Sequence, residues 1–213
     1  MPVLANAVVE FFVKGGPVMY PIAAVGLVAV CLITERVIWW SRMVAGRDPR
    51  RLDAVFAALE EGDLQKSISL SAGSRDPVVR MLHHGLQHPH SSMQGALEVA
   101  AGTELRNAGK FLSAMDTIVT LGPLLGLLGT VTGIMGSFTS IGGAELAVEK
   151  VTGGIGEALI ATAAGLGIAI VTLVPMNHFH SRLSSLQFDL ETAATNALIL
   201  ARRHGFDKEP VPA

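Results

Sequence analysis

Three intervals of this 213-residue chain contain no Asp, Glu, Lys or Arg: Gly15 to Thr34, Thr117 to Ala144, and Ala158 to Ser181. They run for 20, 28 and 24 residues. A helix needs about 20 mostly apolar residues to cross the ~30 Å hydrocarbon layer of a bilayer, so each interval can span. A soluble core seldom asks for helices of that length three times in so short a chain. Half the residues are hydrophobic and 16% are charged, against about 25% charged in an ordinary soluble domain. The expected fold class is all-α, a three-span membrane protein.

The placement of Lys and Arg sets the expected orientation. Arg42, Arg47, Arg50, Arg51, Lys66, Arg75, Arg80, Arg106 and Lys110 lie between the first two spans, and Arg182, Arg202, Arg203 and Lys208 follow the third. The other side holds Lys14 and Lys150. The N-terminus is therefore predicted outside and the C-terminus in the cytoplasm. Trp39, Trp40 and the Glu35–Arg36 pair sit where the first helix leaves lipid, as interfacial anchors do. Residues 1–14 lack the positive region of a cleavable signal and read as an amphipathic segment on the periplasmic face, with Phe11 and Phe12 inserting. The expected order is then a first span at 15–41, a cytoplasmic helical loop at 42–114, a second span at 115–140, a periplasmic loop at 141–152, a third span at 153–178, and a cytoplasmic helix and tail at 179–213.

The soluble parts also read as helical. Residues 52 to 72 suggest a helical hairpin turning at EEGD, residues 60 to 63. Leu97, Ala101, Leu105, Ala108, Leu112 and Met115 recur at steps of four and three, an apolar stripe that predicts one long helix running on into the second span. Leu183, Leu186, Leu190, Ala194 and Ala197 predict the same below the third, so that two long helices extend into the cytoplasm. The closing DKEPVPA reads as a disordered tail.

A formal net charge of -2 argues against nucleic acid as a partner, which needs a concentrated positive face. The single cysteine, Cys31, reads as a buried inert thiol. His84 and His88 have metal-ligand spacing inside HHGLQHPH, but no Cys or nearby carboxylate completes a site and Pro89 breaks the geometry. With no phosphate loop, nucleophile–base pair or cofactor fingerprint, neither an enzyme nor a cofactor is expected.

Within the spans, positions i, i+4, i+7 and i+11 share a helix face. Gly126, Thr130, Gly133 and Ser137 do so in the second. Ala158, Thr162, Gly165 and Ala169 repeat the order in the third: small, Thr, small, small. Such stripes let helix backbones approach in lipid, and a Thr can bond its own helix. Two hydroxyls at membrane depth can equally line a polar path. Glu157 is a carboxylate at the start of a membrane helix, where it either faces the interior of a bundle or caps the helix N-terminus. It lies about 140° around the helix from Thr162, so the two face different neighbours. Asp116 reads as marking an interface.

The segments GPLLGLLGTVTGIMGSF (122 to 138) and GGIGEALIATAAGLGIAI (153 to 170), preceded by GGPVMYPI and the Glu35–Arg36 pair, resemble the MotA/TolQ/ExbB proton channel family. The likeness to ExbB and TolQ is stronger than to the four-span flagellar member. It implies a homopentamer around the membrane helices of an ExbD- or TolR-like single-span partner that carries a membrane Asp. Such a complex uses the proton motive force of a bacterial inner membrane to drive a TonB- or TolA-like periplasmic protein; ExbB-like transport of outer-membrane ligands is favoured over TolQ-like envelope maintenance. By this resemblance Thr130 and Thr162 face the partner, Glu157 matches the family glutamate, and the translocated ion is H+. The chain has no mid-span carboxylate of its own, so an outside acid is needed for a relay. The rival reading is a non-conducting scaffold assembled by its glycine stripes.

Overall fold

The structure is a computed structural model and describes residues 10, 12–88, 92–139 and 146–206. Every regular element among the described residues is a helix. Three are long and apolar enough to cross a membrane. The chain divides into two compact units, one formed by Met1–Glu35 with Phe111–His178, the other by Arg36–Lys110 with Phe179–Ala213.

Helix α1, Met19–Ala45, contains most of the first uncharged interval. Four shorter helices follow, and each starts at a side-chain cap that satisfies an orphan backbone N–H. Asp48 accepts from Arg51 N at 3.1 Å in front of α2, Pro49–Glu60. Asp63 accepts from Lys66 N at 2.9 Å in front of α3, Leu64–Ser71. Asp76 begins α4, Pro77–Leu86, and Ser92 begins α5, Met93–Ala108, accepting from Gly95 N at 3.0 Å. Pro49 and Pro77 occupy first-turn positions that require no N–H donor. Then come α6, Leu112–Thr139, and α7, Leu146–Arg203.

The first unit has a small closed core. Met19, Ile22 and Ala161 are buried, with Phe12, Val18, Leu125, Ile160, Ala164 and Ile168 packed against them. Most of its large aliphatics stay uncovered: Leu27, Leu124, Leu127, Leu159, Ile170 and Val174 are all more than half exposed. A water-soluble unit does not display so much apolar surface. The second unit is a conventional core of Val55, Leu59, Val79, Met81, Leu82, Leu86, Met93, Leu97, Leu186 and Leu190, none more than 1% exposed. The hairpin turning at 60–63 is present as α2 and α3, with Gly62 left-handed at φ 79° and Asp63 N returning to Ala58 O at 3.0 Å. Asp76 is buried and joins two helix starts, accepting from Val78 N and Asp48 N, both at 2.9 Å.

Four expectations are corrected. The stripe from Leu97 to Met115 does not lie on one helix: α5 stops at Ala108, Gly109 caps it, and Phe111 takes a left-handed φ of 68° before α6 begins. Arg36 satisfies the helix end, its guanidinium donating to Asn107 O at 3.2 Å and Ala108 O at 3.3 Å. These carbonyls would otherwise accept from residues 111 and 112 in a continuing helix. Arg36 is accordingly no interfacial anchor; it is 1% exposed, stacks 5.0 Å from the Trp39 ring centroid, and has the buried Trp40 nearby in sequence. Cys31 is exposed, because the buried face of α1 runs through Ile22, Ala29 and Arg36. Phe12 packs on protein, edge-on to Tyr20 with centroids 5.2 Å apart. Phe11, residues 1–9, His90, residues 140–145 and the DKEPVPA tail lie outside the described residues.

Replacing Arg36 with Ala leaves two carbonyls without their donor and should lower unfolding stability by about 1–3 kcal/mol. Denaturant unfolding in detergent, with amide exchange read in the last turn of α5, checks this. Unchanged exchange there would show that the guanidinium does not hold the helix end.

Candidate functional site

Helices α6 and α7 run antiparallel and touch through backbone. Gly126 has no room for a side chain: a Cβ there would lie 2.9 Å from Thr162 Cα and 3.2 Å from the carbonyl oxygens of Ala161 and Thr162. A Cβ on Gly133 would come within 3.1 Å of Gly154 O, and one on Gly122 within 2.8 Å of Gly165 O. A Cβ on Gly165 would strike Gly122 O and sit 3.0 Å from Gly126 N. Carbonyls of one helix thus approach the Cα hydrogens of the other, a geometry of weak Cα–H···O bonds worth about 0.5–1 kcal/mol each.

The buried line on α6 is Gly122, Gly126, Gly129 and Ser137, with half-buried Gly133 completing the spacing. On α7 it is Ala158, Ala161, Gly165, Ala169 and Thr172. Gly126, Gly133, Ser137, Ala158, Gly165 and Ala169 all lie on these lines. Gly129 and Ala161 hold the middle of the contact, and Thr130 and Thr162 fall at its half-buried edge. Thr162 Oγ1 donates across the seam to Gly126 O at 2.9 Å. Thr130 Oγ1 donates to Leu127 O of its own helix at 2.7 Å. Each hydroxyl has therefore spent its proton inside the protomer and presents an oxygen with acceptor capacity remaining.

Glu157 is elsewhere. It lines an open cleft of about 560 Å³ together with Pro17, Val18, Thr132, Gly133, Gly136, Ser137 and Gly154. Thr130 and Thr162 are not part of that lining. Thr132 Oγ1 donates to Leu128 O at 2.9 Å, and Ser137 Oγ to Gly133 O at 2.9 Å. The polar side chains lining the cleft are therefore two hydroxyls whose protons go to backbone carbonyls, and the Glu157 carboxyl. The hydroxyl oxygens keep acceptor capacity for a proton donor or a hydrated cation. Thr132 escapes a reading based on i, i+4 and i+7 because it sits off that stripe; its only sequence signal is a hydroxyl within an uncharged span. Among the described residues no group of three His, Cys, Asp or Glu side chains converges as a metal site. His84 and His88 stack on each other with ring centroids 5.1 Å apart.

Residues 74–192 match the MotA/TolQ/ExbB proton channel family. Among curated proteins, the chain is 35% identical over 200 residues to a biopolymer transport protein named ExbB-like 1 from Synechocystis sp., covering 90% of this chain and 78% of that one. It is 36% identical over 200 residues to ExbB-like 3 of the same organism, covering 91% and 94%. The Tol-Pal system protein TolQ of Haemophilus influenzae is 33% identical over 116 residues, 54% of this chain and 51% of that protein.

The seam generates a paired test. A methyl at residue 165 meets backbone, whereas one at residue 167 meets nothing within 4 Å. Gly165→Ala should cost about 1–3 kcal/mol by forcing the helices apart, and Gly167→Ala should stay within about 1 kcal/mol of the parent. Thermal unfolding of the detergent-solubilised chain checks the pair, and equal midpoints would contradict the close backbone contact.

Proposed function

The chain belongs to the MotA/TolQ/ExbB proton channel family, and from that premise we propose that it is the channel-forming subunit of an inner-membrane complex powered by the proton motive force. Five copies surround the helices of an ExbD- or TolR-like protein that supplies a membrane Asp, and the complex works a TonB- or TolA-like periplasmic protein. ExbB-like transport is the favoured service. The distribution of Arg and Lys supports an N-terminus in the periplasm, with the Arg- and Lys-rich segments 42–114 and 179–213 on the cytoplasmic side.

The observation that carries this reading is the state of the hydroxyls. The spans bear no mid-membrane carboxylate, and Thr130 and Thr162 offer acceptor oxygens at the edge of a rigid seam. An acceptor recognises a protonated carboxyl, which donates, better than a carboxylate, which only accepts. Thr130 and Thr162 thus favour the neutral form of the partner Asp while it passes through lipid depth, where an ionised acid costs several kcal/mol. Glu157 and its cleft form the mouth at which the acid exchanges its proton. A potential of 100 mV contributes about 2.3 kcal/mol per charge moved, enough to bias steps of that size.

The crossing bond from Thr162 to Gly126 also supports the rival, a non-conducting scaffold in which that hydroxyl only clamps two helices. Proton uptake into vesicles containing the chain and its single-span partner separates the two, since the scaffold passes none. Thr162→Val should abolish uptake while the oligomer still assembles, and Thr162→Ser, which retains the oxygen, should keep a substantial part of it. Glu157→Gln should change the pH dependence of uptake. A variant profile that overlays the parent's would make Glu157 a cap for α7 and nothing more.

A further inference from the structure

The paired glycines of GGPVMYPI form a tight turn in front of α1, and the function proposed above gives them no part. Gly16 adopts a left-handed φ of 71°. Its Cα faces the Glu157 carboxyl so closely that a methyl at residue 16 would fall on Glu157 Oε1 and Cδ and lie 3.0 Å from Cγ. Two separate features therefore call for glycine here: the backbone angle, which L side chains disfavour, and the carboxyl already occupying the place of a Cβ.

The turn is held in place from both sides. Gly15 N donates to Phe12 O at 3.4 Å, Met19 N to Gly16 O at 3.1 Å, and Tyr20 N to Pro17 O at 3.3 Å. A Cβ on Gly15 would strike Met19 and come to 3.0 Å from Ile160 on α7. Val18 reaches towards α6, 3.6 Å from the Cβ position of Gly129. Pro17 and Val18 also line the cleft that holds Glu157. The turn is thus a wall of that cleft, and Gly16 is the point of the wall against which the carboxyl rests.

We propose that Gly16 is a positioning residue for Glu157: its bare Cα seats the carboxyl and aims it into the cleft beside Thr132 and Ser137. The inference rests on reading Glu157 as a group of the ion path. A side chain at residue 16 takes the seat and turns the carboxyl to another rotamer, away from the two hydroxyl oxygens, without touching the seam between α6 and α7.

The test is a double-mutant cycle on proton flux in vesicles containing the assembled complex under an imposed potential. Gly16→Ala should lower flux at least about tenfold, within the roughly hundredfold loss that misplacing a reacting group by about 1 Å can cause. Added to Glu157→Gln, it should change flux by less than about twofold, because the group it displaces is already disabled. Gly16→Asn serves where the alanine variant fails to assemble, since Asn tolerates the left-handed angle while still carrying a Cβ; it should be impaired alike. Flux equal to the parent's in Gly16→Asn overturns the proposal, as does a Gly16→Ala loss that multiplies undiminished onto Glu157→Gln. Should Glu157→Gln by itself match the parent, the reading of Glu157 as part of the ion path is what fails.

Discussion

The contact on which the first unit depends is backbone against backbone. Helices in lipid gain nothing from hiding aliphatic surface from one another, because the tails are as apolar as leucine. What remains is dispersion and weak Cα–H···O attraction, and both need the axes close. Glycine at 122, 126, 133, 154 and 165 removes the side chains that would keep them apart. The arrangement inverts a soluble core: the smallest residues lie inside the seam, and large ones such as Leu124, Leu127, Leu128, Leu159 and Leu166 point away from it. The second unit follows the ordinary rule, with Leu59, Met81, Leu82, Leu86 and Leu190 inside.

The spans were legible in the sequence because hydrocarbon is an unforgiving solvent, and three charge-free runs of spanning length have almost no place in a water-soluble chain of this size. The seam was legible in part. On α6 the stripe caught Gly126, Gly133 and Ser137 but took Thr130 for Gly129 and stopped short of Gly122. On α7 it caught Ala158, Gly165 and Ala169 but took Thr162 for Ala161 and stopped short of Thr172. Stripes through i, i+4, i+7 and through i, i+3, i+7 share Gly126, Gly133 and Ser137, and differ only in taking Thr130 or Gly129. Either residue is small enough, so periodicity alone does not choose. The same choice arises between Thr162 and Ala161. What decides is how two backbones mesh, a property of the pair and not of either helix. Arg36 was opaque for a comparable reason: beside the end of an apolar run a guanidinium reads as an anchor in the headgroups, and its true partner is 71 residues further along the chain.

The starts of the short helices are local, as Asp48–Pro49 and Asp76–Pro77 show, with a carboxylate ready to cap and a proline that needs no donor. What is not local is the sharing of Asp76 between Val78 N and Asp48 N, which makes one buried carboxylate a common fixture of α2 and α4. Arg51 acts in the opposite sense, donating to Leu70 O at 2.6 Å and Ala72 O at 2.5 Å where α3 ends. Arg36 does the same for α5. Three carboxylates in this unit, Asp48, Asp63 and Asp76, begin helices, and two guanidiniums, those of Arg51 and Arg36, finish α3 and α5, each charge set against the end of the peptide dipole that favours it.

A hydroxyl in a membrane helix usually gives its proton to a carbonyl of the preceding turn, and Thr130, Thr132, Ser137 and Thr172 all do so. Thr162 departs from that habit by donating to the neighbouring helix. The consequence is chemical as well as mechanical. A side chain that both donates and accepts has become, by commitment of its one proton, a fixed acceptor. A row of fixed acceptors at membrane depth does not welcome an anion, since carboxylate oxygens and hydroxyl lone pairs repel. It welcomes a group that brings its own proton. In the proposed relay the mid-span stripes need no titratable side chain of their own, because the partner's acid would carry the proton while the hydroxyl oxygens would distinguish its two states.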